Sequence, residues 1–297
     1  MTRSYLPNDA KLKIEQGIAR YHVQRPLGMG GFAMTYCAVD TSLERNIAIK
    51  EFFPDGCTRK GRNLEPTGDW TMEILGRYVE SFNNEGKTLA SLQHSNIVQV
   101  YDRFLENRTA YIVLEYIEGR TLRQVWTERR TPFPLDEAMN IFRQIAGALS
   151  YMHTKKVLHR DLNYNNVMLK PNNQAILIDF GLARKFGSSQ INTYTPAFFE
   201  GFSAPEECDY PSSQPHERRD VYGLSALLYW MLTGTAPTSA LLRKGNHPLS
   251  PPHEKVSTIS HDLSMVVMKG LALREQERYQ TIAEFEAALD ATETTPP

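Results

Sequence analysis

The feature that most constrains this chain is a single change in the period of its apolar residues, which falls between Leu114 and Pro134. Before it, the short runs Tyr21-His22-Val23, Thr35-Tyr36-Cys37-Ala38-Val39 and Ile47-Ala48-Ile49 are rich in β-branched and aromatic residues, and glycines and charged turns separate them. They predict three antiparallel strands. Phe52 to Leu75 holds Pro54, Gly56, Gly61, Pro66 and Gly68, which break any regular period and predict a loop or an inserted segment. Val79, Phe82, Gly86, Leu89 and Leu92 then recur at steps of three and four, which places them, with Glu85, on one face of a helix. Ile97–Val100 and Ala110–Leu114 predict two more strands, and Glu118-Gly119 breaks the pattern.

Beyond the change the period is helical. Ala138, Ile141, Phe142, Ile145, Leu149 and Met152 form the stripe of a long helix introduced by Pro134 and Asp136. Two short strands, Val167–Leu169 and Ala175–Ile178, are joined by the turn-forming Lys170-Pro171-Asn172-Asn173. Val221–Leu232 is apolar on nearly all sides, as in a helix at the centre of a core. Thr281 and Glu284 have the spacing of a capping box opening a final helix. The expected fold is therefore α+β, with a small antiparallel-sheet part carrying one main helix and a larger, mainly helical part.

Composition bounds what such a fold does. With 297 residues, 41% of them hydrophobic and 23% charged, and a net charge of -1, the chain reads as an ordinary globular protein with no nucleic-acid footprint. The pairs Arg129-Arg130, Lys155-Lys156 and Arg218-Arg219 read as solvated faces. Cys37, Cys57 and Cys208 have neither disulfide-framework nor zinc spacing, and a reducing cytoplasmic setting is expected. Met1 to Ile14 lacks the apolar run of a signal peptide, and Leu224–Leu232 is too short to span a bilayer, so no membrane segment is expected.

Several short motifs carry chemistry. Leu27-Gly28-Met29-Gly30-Gly31-Phe32-Ala33 lies between two predicted strands, where glycines let backbone N–H groups approach phosphates. Alone it specifies little, since a glycine-rich hairpin turn accounts for it as well. A dinucleotide fingerprint is excluded because no helix follows, and a Walker loop because no Gly-Lys-Ser/Thr closes the run. Lys50 ends the third predicted strand at a sheet edge. Glu85, a carboxylate on an apolar helix face, is costly unless a cation or hydrogen-bond donors meet it, and Lys50 is the natural partner. His159-Arg160-Asp161-Leu162, with Asn166 five positions after the aspartate, forms a polar loop between a helix and a strand. Asp161 would accept the proton of an attacking hydroxyl, and Asn166 would offer a carbonyl oxygen to Mg2+. Asp179-Phe180-Gly181 directly follows an apolar strand, so Asp179 presents a second hard oxygen ligand.

In this order the residues resemble the protein kinase family over about Tyr21 to Leu289. The resemblance implies a two-lobed protein-kinase fold: an N-terminal extension 1–20, an N-lobe 21–114, a hinge 115–120, a C-lobe 121–290 and a tail 291–297. It implies ATP and Mg2+ as cofactors, with Leu27, Gly28, Gly30, Gly31, Phe32, Ala33, Thr35, Ala48, Lys50, Glu115, Ile117 and Met168 around the nucleotide and Leu114 behind the base. Lys50, Glu85, Asp161, Asn166 and Asp179 would be catalytic, the last two also holding the metal. Ala204-Pro205-Glu206 is similar to the family's segment-closing triplet, with Arg278 as the ion-pair partner of its glutamate, and Asp220 resembles the aspartate that ties down the catalytic loop. Leu89, Val100, His159 and Phe180 fall where the family stacks a regulatory column of side chains. The glycine run and Lys50-Glu51-Phe52-Phe53-Pro54 look like bacterial serine/threonine kinases. The implied substrate is a protein, including a second copy of the chain in trans. Arg160 suggests control by phosphate on the following loop, where Ser188, Ser189, Thr193 and Thr195 are candidate acceptors.

The chain departs from the family pattern three times. Ala33 replaces the usual third loop glycine, which would be costly if that position needed a positive φ. Asn163 stands where serine/threonine kinases place a lysine, and Asn165 stands where tyrosine kinases place an arginine. Phe199 occupies the slot of the threonine that bonds the catalytic aspartate and that lysine. Losing a cation beside the transferring phosphate removes a large electrostatic contribution. The alternatives to a serine/threonine kinase are thus a nucleotide-binding pseudokinase acting as a regulatory scaffold, or transfer to a small-molecule hydroxyl.

Overall fold

The computed structural model describes residues 4–15, 18–179, 199–208 and 216–293. They divide into two compact units, Met1–Gln93 with Val98–Ile117, and His94–Ile97 with Glu118–Pro297.

The first unit contains β1 (Lys11–Glu15), β2 (Ile18–Met29), β3 (Ala33–Asp40), β4 (Arg45–Phe52), β5 (Cys57–Lys60), β6 (Asn63–Pro66), α1 (Met72–Ala90), β7 (Val100–Glu106) and β8 (Thr109–Glu115). Six strands form one sheet in the order β1-β2-β3-β4-β8-β7, antiparallel throughout, while β5 and β6 make a separate hairpin. The three expected strands are β2, β3 and β4. β4 runs two residues past Lys50 and lies between β3 and β8, so Lys50 stands in an interior strand, not at the end of an edge strand. Ile97 is not in a strand with Val100; it bridges in parallel to Leu177, within the second unit.

The segment without a readable period holds the β5–β6 hairpin, its turn taken by Gly61 at φ 62°. The stretch assigned to an N-terminal extension supplies β1. Lys13 stands at φ 52°, and its N–H donates to Glu106 Oε2 of β7 at 2.9 Å. Lys13 Nζ and the Tyr21 hydroxyl also reach Asp102 Oδ2 of β7, each at 2.6 Å, so the two edge strands of the sheet meet and the sheet is curled.

α1 covers one face of this sheet through Leu75, Phe82, Gly86 and Leu89. A Cβ on Gly86 would lie 3.0 Å from the Ile112 side chain, so the absence of one lets the helix settle on β8. Thr71 starts the helix, its hydroxyl accepting from the Ile74 N–H at 3.2 Å.

The second unit holds β9 (Arg120–Thr121), α2 (Leu122–Arg129), α3 (Leu135–Thr154), β10 (Val167–Leu169), β11 (Ala175–Leu177), α4 (Pro205–Cys208), α5 (Arg218–Thr233), α6 (Ala240–Lys244), α7 (Pro252–Lys255), α8 (His261–Gly270) and α9 (Ile282–Glu293). α5 is buried from Asp220 to Thr233, which explains why it is apolar on every side: α3, α7, α8 and α9 all pack on it. Each large side chain so buried contributes roughly 1.5–3 kcal/mol. At the start of α9 the Thr281 hydroxyl accepts from the Glu284 N–H at 3.1 Å, but the Glu284 carboxylate returns to the Gln280 N–H, one residue earlier than a capping box requires. Among the described residues no helix is long and apolar enough to cross a membrane.

Candidate active site

Within the first unit, Leu27 and Gly28 lie in β2, Gly30, Gly31 and Phe32 in the turn after it, Ala33 and Thr35 in β3, and Ala48 and Lys50 in β4. The Gly30 N–H donates to the Ala33 carbonyl at 2.8 Å and closes the turn. Ala33 is not among the residues of positive φ, so its replacement of a glycine carries no backbone cost. Gly28, Gly30 and Gly31 also avoid positive φ. A Cβ on Gly28 or Gly31 would meet nothing within 4 Å, so a ligand such as phosphate would have room beside them.

Cross-strand partners share a face of a sheet, and Lys50 is paired with Thr35 and Ile112. Since the Ile112 side chain touches α1 at Gly86, Lys50 points to the face that α1 covers, and Glu85 precedes that glycine on the helix. Ala48 is paired with Leu114 on the same face. Glu115 ends β8, its N–H taken by the Gln99 carbonyl at 2.8 Å, and Ile117 follows it, buried.

In the second unit Asp161 and Asn166 lie in the loop between α3 and β10, Met168 is in β10, and Asp179 follows β11. Two amides hold the Asp161 carboxylate: Asn163 Nδ2 donates to Oδ1 at 3.2 Å and Asn166 Nδ2 to Oδ2 at 3.1 Å. Asn166 Nδ2 also donates to the Asp161 carbonyl at 2.7 Å. With its amide donors committed to Asp161, Asn166 has its carbonyl oxygen left for a cation. The Ile178 N–H donates to the main-chain carbonyl of Asn166 at 3.0 Å, which sets the neighbouring Asp179 alongside. One carboxylate and one amide oxygen suit Mg2+, which keeps its other positions for water and phosphate. Among the described residues there is no cluster of three or more His, Cys, Asp or Glu that would hold a metal by itself.

The loop is anchored from below by Asp220. Its Oδ2 accepts from His153 Nε2 at 2.7 Å and the His159 N–H at 3.0 Å, and its Oδ1 accepts from the Arg160 N–H at 2.8 Å. Burial disfavours the charge on Asp220, but the bond from His153 and the positive surroundings outweigh it and hold the carboxyl below the usual range. Arg160 itself stands at φ 66°, a left-handed conformation that costs a non-glycine residue about 1 kcal/mol and that the bond to Asp220 supports. Asp220 lies inside α5, whose N-cap is Glu217, so it ties the loop and is not a helix cap. A Cβ on Gly223 would come within 3.1 Å of Leu162 Cβ, so this glycine too permits a close approach, here of α5 to the loop.

Asn163 and Phe199, two atypical residues, also have structural accounts. Asn163, 2% exposed, takes over the orienting hydrogen bond to Asp161 but brings no charge. Phe199 packs edge-on against Tyr164 at 5.0 Å and Phe202 at 5.4 Å, so an aromatic cluster fills the slot of the threonine. Glu206 and Arg278 form a bidentate ion pair with both contacts at 2.7 Å, as the resemblance implied. The sequence reading missed His153, a polar residue on the buried face of α3, and misjudged Arg219 as a solvated cation. Arg219 is half-buried and lines a small cleft with Arg160, Asp161 and Ser203. Phe180, Gly181, Ser188, Ser189, Thr193 and Thr195 lie outside the described residues.

A model of the protein kinase domain matches residues 21–286. The chain belongs to the protein kinase family. It is 32% identical over 282 residues to the serine/threonine-protein kinase PknB of Mycobacterium leprae, an overlap covering 91% of this chain and 42% of that protein. It is 28% identical over 276 residues to the serine/threonine-protein kinase PrkC of Bacillus subtilis, covering 90% and 40%. The chain thus spans about two fifths of the length of these relatives. Of solved structures, the PpkA-294 apo form matches with a TM-score of 0.81 at 25% identity, covering 96% of this chain and 99% of that one. The Mycobacterium tuberculosis PknI kinase domain matches at 0.71 and 22% identity, covering 98% and 100%, which supports the two-lobed kinase fold.

Proposed function

We propose that this kinase domain transfers the γ-phosphoryl group of ATP, bound with Mg2+, to serine or threonine hydroxyls of proteins, including its own loop after Gly181. The observation that carries the reading is the double amide grip on Asp161 by Asn163 and Asn166, beside a strand end that presents Asp179. A carboxylate with both oxygens held is preorganised to orient an acceptor hydroxyl and take its proton as the oxygen attacks phosphorus. Asn166 and Asp179 would hold Mg2+, which would supply positive charge to offset that of the phosphate oxygens. Lys50 would hold phosphate oxygens, Glu85 would orient Lys50, and the N–H groups of the glycine turn would cover the phosphates. Ala48, Thr35 and Leu27 would contact the base, with Glu115 and Ile117 offering backbone groups to its edge. Arg160 and Arg219 line a small cleft that also holds Asp161 and Asp220, and the two guanidinium groups would pair with a phosphorylated loop residue.

Mass spectrometry of the purified chain after incubation with ATP and Mg2+ tests this, with Asp161→Asn and Asp179→Asn as controls. Phosphoserine or phosphothreonine is expected on the wild type, with both variants reduced at least about a hundredfold. Equal phosphorylation of all three chains, or none on a wild type that ATP stabilises thermally, would reject it.

A further inference from the structure

The inserted hairpin β5–β6 is joined to the sheet by a buried ion pair next to Lys50. Side chains alternate along β4, so Glu51 faces away from α1, opposite to Lys50, and it is fully buried. Arg59 of β5 meets it with both nitrogens of its fork, Nη2 to Oε2 at 2.7 Å and Nη1 to Oε1 at 3.0 Å. The Tyr36 hydroxyl donates to Oε2 at 2.7 Å and the Tyr111 hydroxyl to Oε1 at 2.9 Å. Every strong acceptor position of this carboxylate is thus used, in a place where an unpaired charge could not persist. Arg59 also stacks over Phe53, its guanidinium 4.8 Å from the ring centroid.

The short segment between Glu51 and the hairpin holds the glycine turn. The Phe53 N–H donates to the Phe32 carbonyl at 2.8 Å, and the Asp55 N–H donates to the Gly31 carbonyl at 3.0 Å. The tip of the turn is therefore bonded to the backbone that Arg59 packs against. A hairpin serving only stability could attach anywhere on the sheet. This one is bonded to the β7–β8 turn, the Leu64 N–H donating to the Asn107 carbonyl at 2.8 Å, and also reaches the residue beside Lys50 and Phe53, which bonds the glycine turn.

We propose that Arg59 is a positioning residue for the nucleotide phosphates, acting through Glu51 on Lys50 and through residues 53–55 on the glycine turn. The part of this that concerns nucleotide rests on the function proposed above. The inserted hairpin then serves as a brace that keeps the phosphate-holding backbone in one shape before ATP arrives, which lowers the ordering cost of binding.

The test compares the wild type with the double variant Arg59→Met/Glu51→Gln, which leaves no unpaired charge and offers one tyrosine hydroxyl an acceptor oxygen and the other an amide donor. Hydrogen exchange is followed at the Phe53 and Asp55 amides, and KM for ATP and kcat are measured separately. Exchange at both amides is expected to quicken at least about tenfold, and KM for ATP to rise about tenfold with kcat changed less than about threefold, the pattern of lost ground-state binding. Wild-type exchange together with wild-type KM in a folded double variant overturns the proposal. Arg59→Lys serves if the double variant does not fold: a point charge cannot reproduce the fork, so the same changes in smaller measure are expected, and their absence overturns the proposal equally. A wild type with no affinity for ATP would defeat the kinase reading, while the exchange comparison would still decide whether Arg59 braces the turn.

Discussion

Replacing Asp220 by asparagine changes one atom and should disable the catalytic loop. The carboxylate accepts three hydrogen bonds, from His153 Nε2, the His159 N–H and the Arg160 N–H. An asparagine offers one oxygen and an NH2 group, so if its oxygen keeps His153 and His159, its amide meets the Arg160 N–H donor to donor. A lost hydrogen bond to a charged group costs about 1.5–3 kcal/mol, and the buried N–H left without an acceptor adds about 1–3 kcal/mol. Arg160 then loses what holds it at φ 66°. A total of about 3–5 kcal/mol corresponds to a fall in Tm of about 6–20 °C for a unit of this size. Because Arg160 precedes Asp161, the proposed general base should shift as well, and a displacement of about 1 Å costs on the order of a hundredfold in rate. Thermal unfolding and steady-state kinetics read both effects: kcat should fall about a hundredfold while KM for ATP changes less than about threefold. A variant with Tm within about 3 °C of wild type and kcat within about threefold would refute the reasoning.

Arg278→Met removes both bonds to Glu206 and those to the carbonyls of Ala272, Arg218 and Leu273, and should cost about 3–5 kcal/mol, seen as a lower midpoint in urea; a midpoint equal to wild type would contradict it. Asn163→Ala removes one orienting bond to Asp161 and leaves the Asn165 N–H without its acceptor; it should lower kcat about tenfold and Tm by a few degrees, whereas unchanged turnover would show that Asn166 suffices to orient the proposed base. Asp40, Asp102 and Asp220 are each buried enough to disfavour their charge, yet their hydrogen bonds, from Ser42 and Arg20, from Lys13 and Tyr21, and from His153, hold them below the usual carboxylate range. A depressed folded pKa contributes stability that is present above the unfolded value of about 3.9 and is lost as pH falls through the folded values. Tm should therefore hold from pH 7 to about 5 and drop steeply below about 4, and a flat profile to pH 3 would exclude these carboxylates as stabilising groups.

Much of this was legible in the sequence because it depends on local order. The glycine run, Lys50, His159 to Asn166 and Asp179 each sit at the junction of elements whose periods differ, and such junctions are where strands and helices deliver polar groups. The paired Glu206 and Arg278 were accessible only through the resemblance, since 72 residues separate them. The hairpin β5–β6 was illegible: four-residue strands interrupted by glycines and prolines carry too few periods to register. The strand expected at Ile97 failed for a different reason, since an apolar β-branched run reads the same whether it pairs with β8 or bridges to Leu177.

By itself the amino-acid order determined that one region alternates and the next winds, because a two-residue and a 3.6-residue period cannot both bury the same apolar set. It also determined which residues could carry charge or ligate a cation. Only the tertiary structure decided how those groups are partnered: that Asn163 and Asn166 share Asp161, that Asp220 holds two backbone amides of the catalytic loop, and that Glu51 answers to Arg59. Burial is the physical reason. A carboxylate removed from water must find its donors wherever the packed chain brings them, and that distance through space is not written in the distance along the chain.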